Sequence, residues 1–506
     1  MMDTQRKPQT GFVEQETVRA ACFFLLGIFC LSAPAAAATQ VGGPITGNRT
    51  WTHEKSPYLV TMHIEVEVNA SLTIEPGVAV KFSRPCFLKI CGTLVAKGTA
   101  SRPVVFTSEK KAPGAWEGIK FHESKGDTIL QHCVVEYAEE GIRADNVRDL
   151  QLRCCRIANN EIGISLSHCR NVTIENCGIQ KNKTRAIFLI NSDSIEIRNN
   201  LISGHVTQKP SLINCNRGEG IQFSGNLIKD NSAVNSKRYR FALIFSYCKD
   251  LKIYNNSVTG NVGLGGLCVN NLCVSGWSKS VLSQNTIAKN GKVGISFSRV
   301  RNAKLINSNI RNNAGHGIRI YSSLENLDIQ NCNITGNGGY ALYNRGKDAF
   351  QGPHNWWGTA EELDIRGLIY DYWDDSSRGK VKIKPYRQAH NPDAGTKGET
   401  GPPQELFCGK EPGREPEIAN VRFHQKGNAV IITYDLENGG RPCNISVKCS
   451  TDGGGHFDIR PETVSGDVGK NIAPGEAKKI RWDVLKDIPA GLHSDRIVFQ
   501  VKAVRK

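Results

Sequence analysis

A short sequence pattern recurs along the middle of the chain, with a period mostly in the twenties. The copies begin at Leu150, Val172, Leu251, Ala303 and Leu327, and VTIENCGIQKN and LDIQNCNITGN are two of them. Each copy alternates apolar and polar residues, which is typical of a β-strand, and then carries a polar pair. Strand-like units repeated at a nearly fixed period cannot bury their apolar faces alone and therefore stack on one another. The repeat predicts a coiled β-solenoid.

Two adjacent columns run through the repeats, and each has its own composition. The first column consists mainly of residue types that tolerate a positive φ, which predicts a left-handed bend between two strands, although Cys154 and Gln284 fit that rule poorly. The second column holds small polar or thiol side chains. They are expected to point into the coil, where stacked Asn amides bond from rung to rung and Cys packs as a small apolar residue. The first column is His132, Cys154, Asn176, Asn199, Gly225, Asn255, Gln284, Asn307 and Asn331. The second column is Cys133, Cys155, Cys177, Asn200, Asn226, Asn256, Asn285, Ser308 and Cys332.

The chain contains 17 cysteines, and three of them follow one another in the second column. Rungs of a parallel sheet are about 4.8 Å apart, so Cys133, Cys155 and Cys177 are expected to be close neighbours. Their side chains should lie parallel, and three in a row cannot all pair, so reduced and packed thiols are expected there. Better candidates for disulfides are Cys86 with Cys91, and Cys443 with Cys408 or Cys449.

Each rung continues to a third marker and then to a strand that begins with Gly-Ile. The strands GIRA, GISL, GISF and GIRI begin at Gly141, Gly163, Gly294 and Gly317. Three short strands per coil, with bends between them, predict an all-β fold built on a right-handed parallel β-helix, because parallel crossovers are almost always right-handed. The third markers are commonly Asn: Asn160, Asn182, Asn231, Asn261, Asn290, Asn313 and Asn337.

These repeats resemble the parallel β-helix repeats of the pectate-lyase-like superfamily. The segments LTIEPGVAVKF from Leu72 and GAWEGIKF from Gly114 resemble the first coils of secreted bacterial β-helix proteins, and NWWGT from Asn355 resembles their closing segment. The resemblance covers roughly Trp51 to Tyr386. It implies the fold but not an activity, since the superfamily contains lyases, hydrolases, epimerases, adhesins and non-catalytic binders.

Sequence composition divides the chain into four parts. Residues 1–38 are predicted to be a secretory signal, because basic residues precede the apolar run Ala21–Leu31 and small residues follow it. Residues 39–389 are assigned to the β-helix, and residues 390–416, rich in Gly, Pro and charge, to a linker. Residues 417–506 hold short alternating segments separated by turns, which predict a small antiparallel β-sandwich of the fibronectin or immunoglobulin kind, with Trp482 and Tyr434 in its core.

The formal net charge of +16 belongs entirely to the part of the chain after the predicted signal. Such an excess favours acidic partners such as uronic-acid polysaccharides or envelope components, although diffuse Lys and Arg that keep a long solenoid soluble are the plainer explanation. The predicted location is secreted, periplasmic or at the cell surface. Nucleic acid is not an expected partner there, and no transmembrane segment is expected in the mature chain.

Catalytic β-helices that cleave polysaccharides place carboxylates, or calcium with a basic residue, on an outward strand face. In the two outward rows expected for the Gly-Ile strands, Asp145 is the single acid. On the neighbouring face, Glu175 and Glu196 are predicted at matching positions one rung apart, either as a functional pair or as solvated surface. The first row is Arg143, Ser165, Phe188, Ile244, Cys268, Ser296, Arg319 and Tyr343. The second row is Asp145, Ser167, Ile190, Ser246, Asn270, Ser298 and Tyr321.

A dense acidic cluster lies near the end of the predicted β-helix. Asp371, Asp374 and Asp375 offer oxygen ligands for calcium, or else form the polar end of the closing strand. Calcium is the one metal that the sequence suggests, and no other cofactor is expected.

Three rungs are longer than the others and carry insertions at Val206–Gly220, Ser232–Arg240 and Asn270–Lys279. In a solenoid, insertions emerge as loops and often build a binding site. These insertions are predicted to wall a shallow groove, in which Arg binds carboxylates and aromatic rings stack on sugars, unless they are ordinary loop variation. The candidate ligand-binding residues are Phe188, Arg217, Lys237, Arg238, Tyr239, Arg240, Trp277 and Lys279.

Three functions are compatible with the sequence. The leading hypothesis is a secreted, non-catalytic β-helix that binds acidic polysaccharide or acts at the cell envelope. The rival is a polysaccharide lyase or glycoside hydrolase acting on uronic-acid glycans, with Lys237, Arg238 or Arg240 as the base of a lyase. The third is a structural or adhesive surface protein. The sequence does not indicate an oligomeric state.

Overall fold

The repeats form coils of three short strands, and each coil stacks on the next in parallel register. The computed structural model describes residues 38–124, 128–234, 240–272, 279–322, 324–398, 400–402, 417–437, 442–473, 475–492, 494 and 496–504. The predicted signal at residues 1–38 therefore lies outside the described residues, apart from Ala38. Two long strands, Thr39–Ile45 and Tyr58–Val66, begin the solenoid.

The coils present three sheet faces, which we call the first, second and third faces in chain order. The first face, which follows the third face of the preceding coil, contains Asn48–Trp51, Ser71–Ile74, Thr93–Lys97, Ile129–Gln131, Gln151–Arg153, Arg170–Glu175, Asp193–Arg198, Gln222–Ser224, Lys252–Tyr254, Ser280–Ser283, Val300–Ile306, Leu324–Gln330, Phe350–Gln351 and Val381–Lys382. The second face contains Ala79–Phe82, Val104–Ser108, Cys133–Glu136, Arg156–Ala158, Gly178–Gln180, Leu201–Ser203, Leu227–Lys229, Ser257–Thr259, Thr286–Ala288, Asn309–Arg311 and Asn333–Thr335. The third face contains Phe87–Ile90, Gly118–His122, Glu140–Asp145, Ile162–Ser167, Arg185–Ile190, Ser211–Asn216, Phe241–Ser246, Gly265–Asn270, Ile295–Ser298, Ile318–Ile320, Leu342–Asn344 and Ile369–Tyr370.

The two sequence columns behave as predicted. All nine residues of the first column have a positive φ, between 48° and 64°, and these include Cys154 and Gln284. All nine residues of the second column are buried. The bend therefore depends on position in the repeat more than on residue type, because stacked neighbours impose it on residues that rarely adopt it alone.

Buried asparagines form ladders that satisfy the backbone at the coil corners. In the second column, Asn226 donates through Nδ2 to the carbonyl of Ile197 at 2.9 Å and to Asn256 Oδ1 at 3.0 Å. In the third-marker column, the backbone N–H of Asn160 donates to Asn182 Oδ1 at 3.0 Å. His205 takes the place of one asparagine in that column and is fully buried. These buried amides thus find hydrogen-bond partners in the coils before and after their own.

The cysteines predicted to be packed thiols are buried and unpaired. Cys155 donates its S–H to the carbonyl of Leu130 at 3.3 Å, and burial raises the pKa of the Cys133 and Cys177 thiols. The thiol of Cys332 has its pKa raised by burial to about 12.

The disulfide candidates within the described residues are wrong. Cys86 and Cys91 are free thiols because an extended strand, Phe87–Ile90, separates them. Cys443 and Cys449 both lie on the strand Cys443–Ser450, so they do not pair with each other. At about 3.3 Å per residue, each pair is more than 15 Å apart, well beyond the reach of a disulfide. Cys408 lies outside the described residues.

The first two insertions meet each other. Val206–Thr207 and Ser232–Ala233 pair as a small parallel sheet beside the coil corner. Next to it is a shallow depression of about 420 Å³. Its lining includes Lys181, Lys183, Gln208 and Val234.

The end of the solenoid is closed by a short helix, Glu362–Gly367, and by a turn around Asp371. Asp371 is 1% exposed, and its carboxylate accepts the N–H groups of Trp373 at 3.1 Å and Val381 at 2.8 Å. The only other short helices in the described chain are His53–Lys55 and Val484–Asp487. No helix among the described residues is long and apolar enough to cross a bilayer.

Residues 387–398 and 400–402, which we call the strap, run back along the outside of the coils. The N–H of Arg387 donates to the carbonyl of Asn355, Gly395 to Asn307 at 2.8 Å, and Gly401 to Gly225 at 2.6 Å. The strap thus follows the first-column corner from the last coils toward the middle of the solenoid. Most of it falls in the segment that the sequence assigned to a linker.

The C-terminal residues form two antiparallel sheets. One contains Glu417–Lys426, Ala429–Glu437, Gly475–Asp483 and Val464–Gly466, and the other contains Gly469–Ile472, Cys443–Ser450 and Val498–Val504. Trp482 of the first sheet contacts Phe499 of the second, with ring centroids 6.0 Å apart. Trp482 and Tyr434 are 0% and 1% exposed, so both lie in the core, as the sequence predicted.

Candidate functional site

The third face carries a continuous outward row whose register confirms the predicted one, with Lys120 and Tyr370 added at its ends and Asn214 added within it. Strand pairing places Asn214 between Phe188 and Ile244. The sequence missed this rung because the strand Ser211–Asn216 lacks the Gly-Ile signature and lies within the segment Val206–Gly220, which the sequence indicated as an insertion. The complete row is Lys120, Arg143, Ser165, Phe188, Asn214, Ile244, Cys268, Ser296, Arg319, Tyr343 and Tyr370.

An arginine and an aromatic ring pack together near the middle of this face. The guanidinium carbon of Arg185 lies 4.5 Å from the ring centroid of Phe188. Burial lowers the pKa of Arg185, because the guanidinium is partly withdrawn from water. A cation held over a ring in this way can meet an anionic group while the ring supplies apolar surface.

Four apolar residues form a floor on the outside of the solenoid. Phe241, Cys268 and Val293 are buried against each other, and Ile244 packs beside them. Ile244 and Cys268 belong to the predicted outward row, and the structure pairs them on the third face. Burial raises the pKa of Cys268 to about 11, so its thiol is neutral at ordinary pH.

Aromatic rings stack along the C-terminal part of the third face. The imidazole of His316 lies 4.4 Å from the ring of Tyr343 at an interplanar angle of 6°, and Tyr343 lies 4.7 Å from Tyr370. His316 Nδ1 accepts the N–H of Tyr340 at 3.1 Å, which fixes the ring. Burial, assisted by the charge of Arg319, lowers the pKa of His316. The rings form a rigid amphipathic wall.

Two further arginines flank an exposed tyrosine beside this wall. The guanidinium carbons of Arg319 and Arg345 lie 5.7 Å and 6.0 Å from the ring centroid of Tyr321. Tyr321 is 57% exposed, whereas Arg319 is only 8% exposed. Cations and rings therefore alternate over two neighbouring coils at this end of the face.

The predicted ligand-binding residues divide into three groups. Phe188 lies on the third face, Arg240 directly precedes its strand Phe241–Ser246, and Arg217 directly follows its strand Ser211–Asn216. Lys279 instead directly precedes the first-face strand Ser280–Ser283, and its N–H donates to Asp250. Lys237, Arg238, Tyr239 and Trp277 lie outside the described residues.

Arg240 approaches a second cation where the chain enters the third face. Burial, followed by the charge of Arg240, lowers the pKa of Lys292. Arg240 itself donates to the carbonyl of Val234 in the second insertion. Two cations brought together in this way repel each other, and a bound anion would relieve that repulsion.

The predicted acid pair on the first face is wrong in register. Glu196 lies beside Thr173, and Glu175 lies beside Arg198, because the two strands are shifted by two residues from the expected alignment. Glu175 accepts a hydrogen bond from Arg198 at 3.0 Å. Its carboxylate is therefore part of a surface ion pair.

Asp145 does not form a nucleophilic triad with its neighbours. His122 and His168 approach its carboxylate at 3.9 Å and 3.8 Å through Nδ1. Ser167 Oγ meets the same Nδ1 of His168 at 2.9 Å. A serine nucleophile and an orienting carboxylate must bind opposite nitrogens of the imidazole, so this arrangement has no relay geometry.

The Asp371 cluster acts as a structural frame around an exposed tryptophan. Asp374 Oδ2 accepts the N–H of Asp371 at 3.0 Å, and hydrogen bonds from Ser377, assisted by Arg378, lower the pKa of Asp375. Within the described residues, no group of three or more His, Cys, Asp or Glu is arranged to hold a metal ion. Trp373, held by this frame, is 63% exposed, and Lys380 Nζ lies 4.5 Å from its ring centroid.

Sequence reasoning overlooked the ring wall and Trp373. Tyr343 and Arg319 were placed on the outward row, but their neighbours His316 and Tyr340 lie in corners before the strands. Tyr370 and Trp373 belong to the closing segment, which has no repeat register. The usable signal is the residue immediately before each Gly-Ile pair, which is His in HGIRI from His316.

Comparison with known families supports the solenoid along most of its length. Residues 43–124 match the pectate-lyase-like β-helix domain, residues 105–234 the family described as periplasmic copper-binding protein (NosD), and residues 214–353 the right-handed β-helix region. Among curated proteins, protein bark beetle of Drosophila melanogaster is 44% identical over 68 residues, which are 13% of this chain and 2% of that protein.

Three solved structures are similar at low identity. A mutant of the periplasmic alginate epimerase AlgG is 14% identical, with a TM-score of 0.38, over 69% of this chain and 85% of that one. The catalytic domain of an alpha-1,3-glucanase is 10% identical, with a TM-score of 0.32, over 65% and 64%. A tailspike protein of Acinetobacter baumannii bacteriophage Fri1, a capsular polysaccharide depolymerase, is 8% identical, with a TM-score of 0.22, over 92% and 80%. From the family matches and the stacked three-strand coils, this chain is a right-handed parallel β-helix repeat protein.

Proposed function

We propose that the protein binds an extended acidic polysaccharide along its third face without cleaving it. One observation carries this proposal, which is the kind of side chain that the third face presents in its outward rows. From Lys120 to Tyr370 the outward row consists of cations, rings, the apolar Ile244 and Cys268, and small neutral polar side chains. In the strands Gly118–His122 to Ile295–Ser298 the next row contains Asp145 as its one acid. Such a surface repels few anions and offers rings and alkyl groups to the apolar faces of sugars.

The dimensions of the face suit a linear polymer. Seven rung-to-rung steps separate Phe188 from Tyr370, or about 34 Å at roughly 4.8 Å per step. The floor of Phe241, Ile244 and Cys268 lies between the cation–ring pairs at the two ends. A shallow surface of this length favours a chain of several sugar rings over a small molecule.

The charges support an acidic ligand. Arg185 has a pKa lowered by burial, and so has Lys292, beside Arg240. Each of these groups pays for its burial as a cation, and a carboxylate bound beside it would recover part of that free energy.

The same surface supports binding more than cleavage. Hydrolysis of a glycosidic bond generally needs two carboxylates facing each other across the bond, and Asp145 has no acidic neighbour in the two rows of the described third face. A lyase with a basic residue from residues 237–240 is the alternative outcome of the test below.

Copper is not part of the proposal. The NosD family is described as copper-binding, but the cysteines that the structure describes in the matched region do not form such a site. Within the matched region, Cys155 and Cys177 are buried and donate to the carbonyls of Leu130 and Leu152. No set of three metal-ligating side chains occurs among the described residues.

The test is a binding measurement on the purified protein with polygalacturonate, alginate and their carboxyl-reduced, neutral forms, followed by calorimetry. We expect the acidic polymers to bind and the neutral ones to bind at least tenfold more weakly. Arg185→Ala and Phe188→Ala should each weaken binding, while Tyr254→Ala, a partly exposed ring on the first face, should not.

Two results would contradict the proposal. Equal binding of acidic and neutral polymers would mean that the protein does not recognise the carboxylate. Release of unsaturated or reducing ends that is abolished in the Arg240→Ala variant would mean that the protein is an enzyme that cleaves the polymer.

A further inference from the structure

An exposed tryptophan stands where the third face ends. Trp373 follows the last strand of that face, Ile369–Tyr370, by three residues, and it is 63% exposed. An indole left in water exposes a large apolar surface. A closing loop can be solvated without such a ring. Tyr370, three residues earlier in the chain, pairs with Tyr343 in the last rung of that face.

The buried frame around Asp371 holds this tryptophan in place. The Asp371 carboxylate binds the backbone N–H of Trp373 on one side and that of Val381 on the other. The N–H groups of Asp374 and Asp375 both donate to the Asp371 carbonyl at 3.0 Å. A buried carboxylate that accepts hydrogen bonds from two separate segments fixes the loop, so little conformational entropy is lost when a ligand binds there.

A cation completes the arrangement. Lys380 Nζ lies 4.5 Å from the Trp373 ring centroid, and Tyr372 contacts the same ring edge-on with centroids 5.8 Å apart. Tyr372 is itself 43% exposed. A ring for the apolar side of a sugar and an ammonium group for its carboxylate thus occur together, as they do for Arg185 and Phe188 on the third face.

We infer that Trp373, with Tyr372 and Lys380, forms a terminal subsite that stacks on one uronate residue of the polymer as it leaves the last coil. The inference rests on the proposed function, because the third face must deliver the polymer to this end. The Asp371 cluster then has a defined task, which is to position the tryptophan.

Trp373→Ala tests the subsite against the matched control Leu363→Ala. Leu363 is 86% exposed on the closing helix, so its removal deletes exposed apolar surface of the same segment without a ring or a cation. With polygalacturonate long enough to span the face, Trp373→Ala should weaken binding by roughly three- to tenfold, and Trp373→Phe should recover part of the loss. Lys380→Gln should weaken the binding of polygalacturonate and leave the binding of the carboxyl-reduced polymer unchanged.

The outcomes separate this inference from the proposed function. If Arg185→Ala weakens binding but Trp373→Ala does not, or if Leu363→Ala weakens it equally, the terminal subsite is wrong and the third-face site stands. If the unsubstituted protein binds no acidic polymer, both are wrong. A change in molar mass by light scattering in Trp373→Ala would assign the ring to contact between copies of the chain and overturn the subsite.

Discussion

His205 is a titratable side chain buried in a row of asparagines. Its Nδ1 accepts the N–H of Asn182 at 3.1 Å, and its Nε2 lies 2.9 Å from the carbonyl of Ile179, to which it donates. Asn182 uses its amide in the same way toward Asn160 and Ile157 in the preceding coil. The imidazole therefore reproduces both hydrogen bonds of an asparagine, but only in its neutral form.

This histidine should make folding sensitive to acid. Burial lowers the pKa of His205 in the folded protein. Below the unfolded value of about 6.5, the unfolded chain binds a proton that the folded chain excludes, so the free energy of unfolding falls as pH drops from there toward the folded-state pKa. Between neutral and mildly acidic pH, the denaturant midpoint should decrease less in His205→Asn than in the original protein. His168→Asn, at an exposed corner, is the control, and an unchanged pH dependence in His205→Asn would contradict the assignment.

The strap is the element that the sequence described least well. Composition alone suggested a flexible linker, but residues in it make specific contacts with successive coils. Asn391 donates its N–H to Asn333 Oδ1 at 2.8 Å and its amide to the carbonyl of Asn331 at 2.6 Å. Asn333 is fully buried by these contacts. The strap thus shields part of the second face.

Removing one side of this contact should release the strap locally. Asn333→Ala takes away the acceptor of the Asn391 N–H and a donor to the Asn391 carbonyl, which leaves buried groups unpaired at about 1–3 kcal/mol each. Hydrogen exchange followed by mass spectrometry should show faster exchange at residues 387–398. Asn214→Ala, on the third face, should leave that segment unchanged. Unaltered exchange in Asn333→Ala would mean that other contacts hold the strap.

How much of each element was predictable depends on whether it repeats. The columns were predicted residue by residue, since one alignment fixes the position of every copy in its coil. Cys154 fits the residue-type rule poorly and still adopts the bend, because its position in the coil decides its backbone conformation. Asn214 was missed where an insertion hides the register. Trp373 was missed because the closing turn occurs once, and its geometry depends on a buried Asp371 that no periodicity reveals.

For the whole molecule, net charge and surface rings should contribute separately to polymer binding. The chain carries a formal charge of +16, and the Debye length falls from about 10 Å at 0.1 M salt to about 3 Å at 1 M. Binding of polygalacturonate should therefore weaken by about tenfold or more over this range. The loss caused by Phe188→Ala should persist at high salt, because contact with a ring is not screened. Calorimetry at both salt concentrations measures the two effects, and salt-independent binding would rule out charge as a contributor.

The solenoid separates folding from binding within a single strand. Leu243 and Ile244 are neighbours on Phe241–Ser246, but Leu243 points into the core at 1% exposure while Ile244 lies on the outward floor. Leu243→Ala should lower the free energy of unfolding by about 2–5 kcal/mol. Because each coil contacts only its neighbours, the loss of hydrogen-exchange protection in Leu243→Ala should be confined to adjacent coils. The coil that contains Leu72 should keep its protection. Ile244→Ala should keep the denaturant midpoint within a small margin of the original and weaken polygalacturonate binding instead. If Ile244→Ala destabilised the protein as much as Leu243→Ala, the floor would be part of the folding core and the third face would lose its apolar contribution to binding.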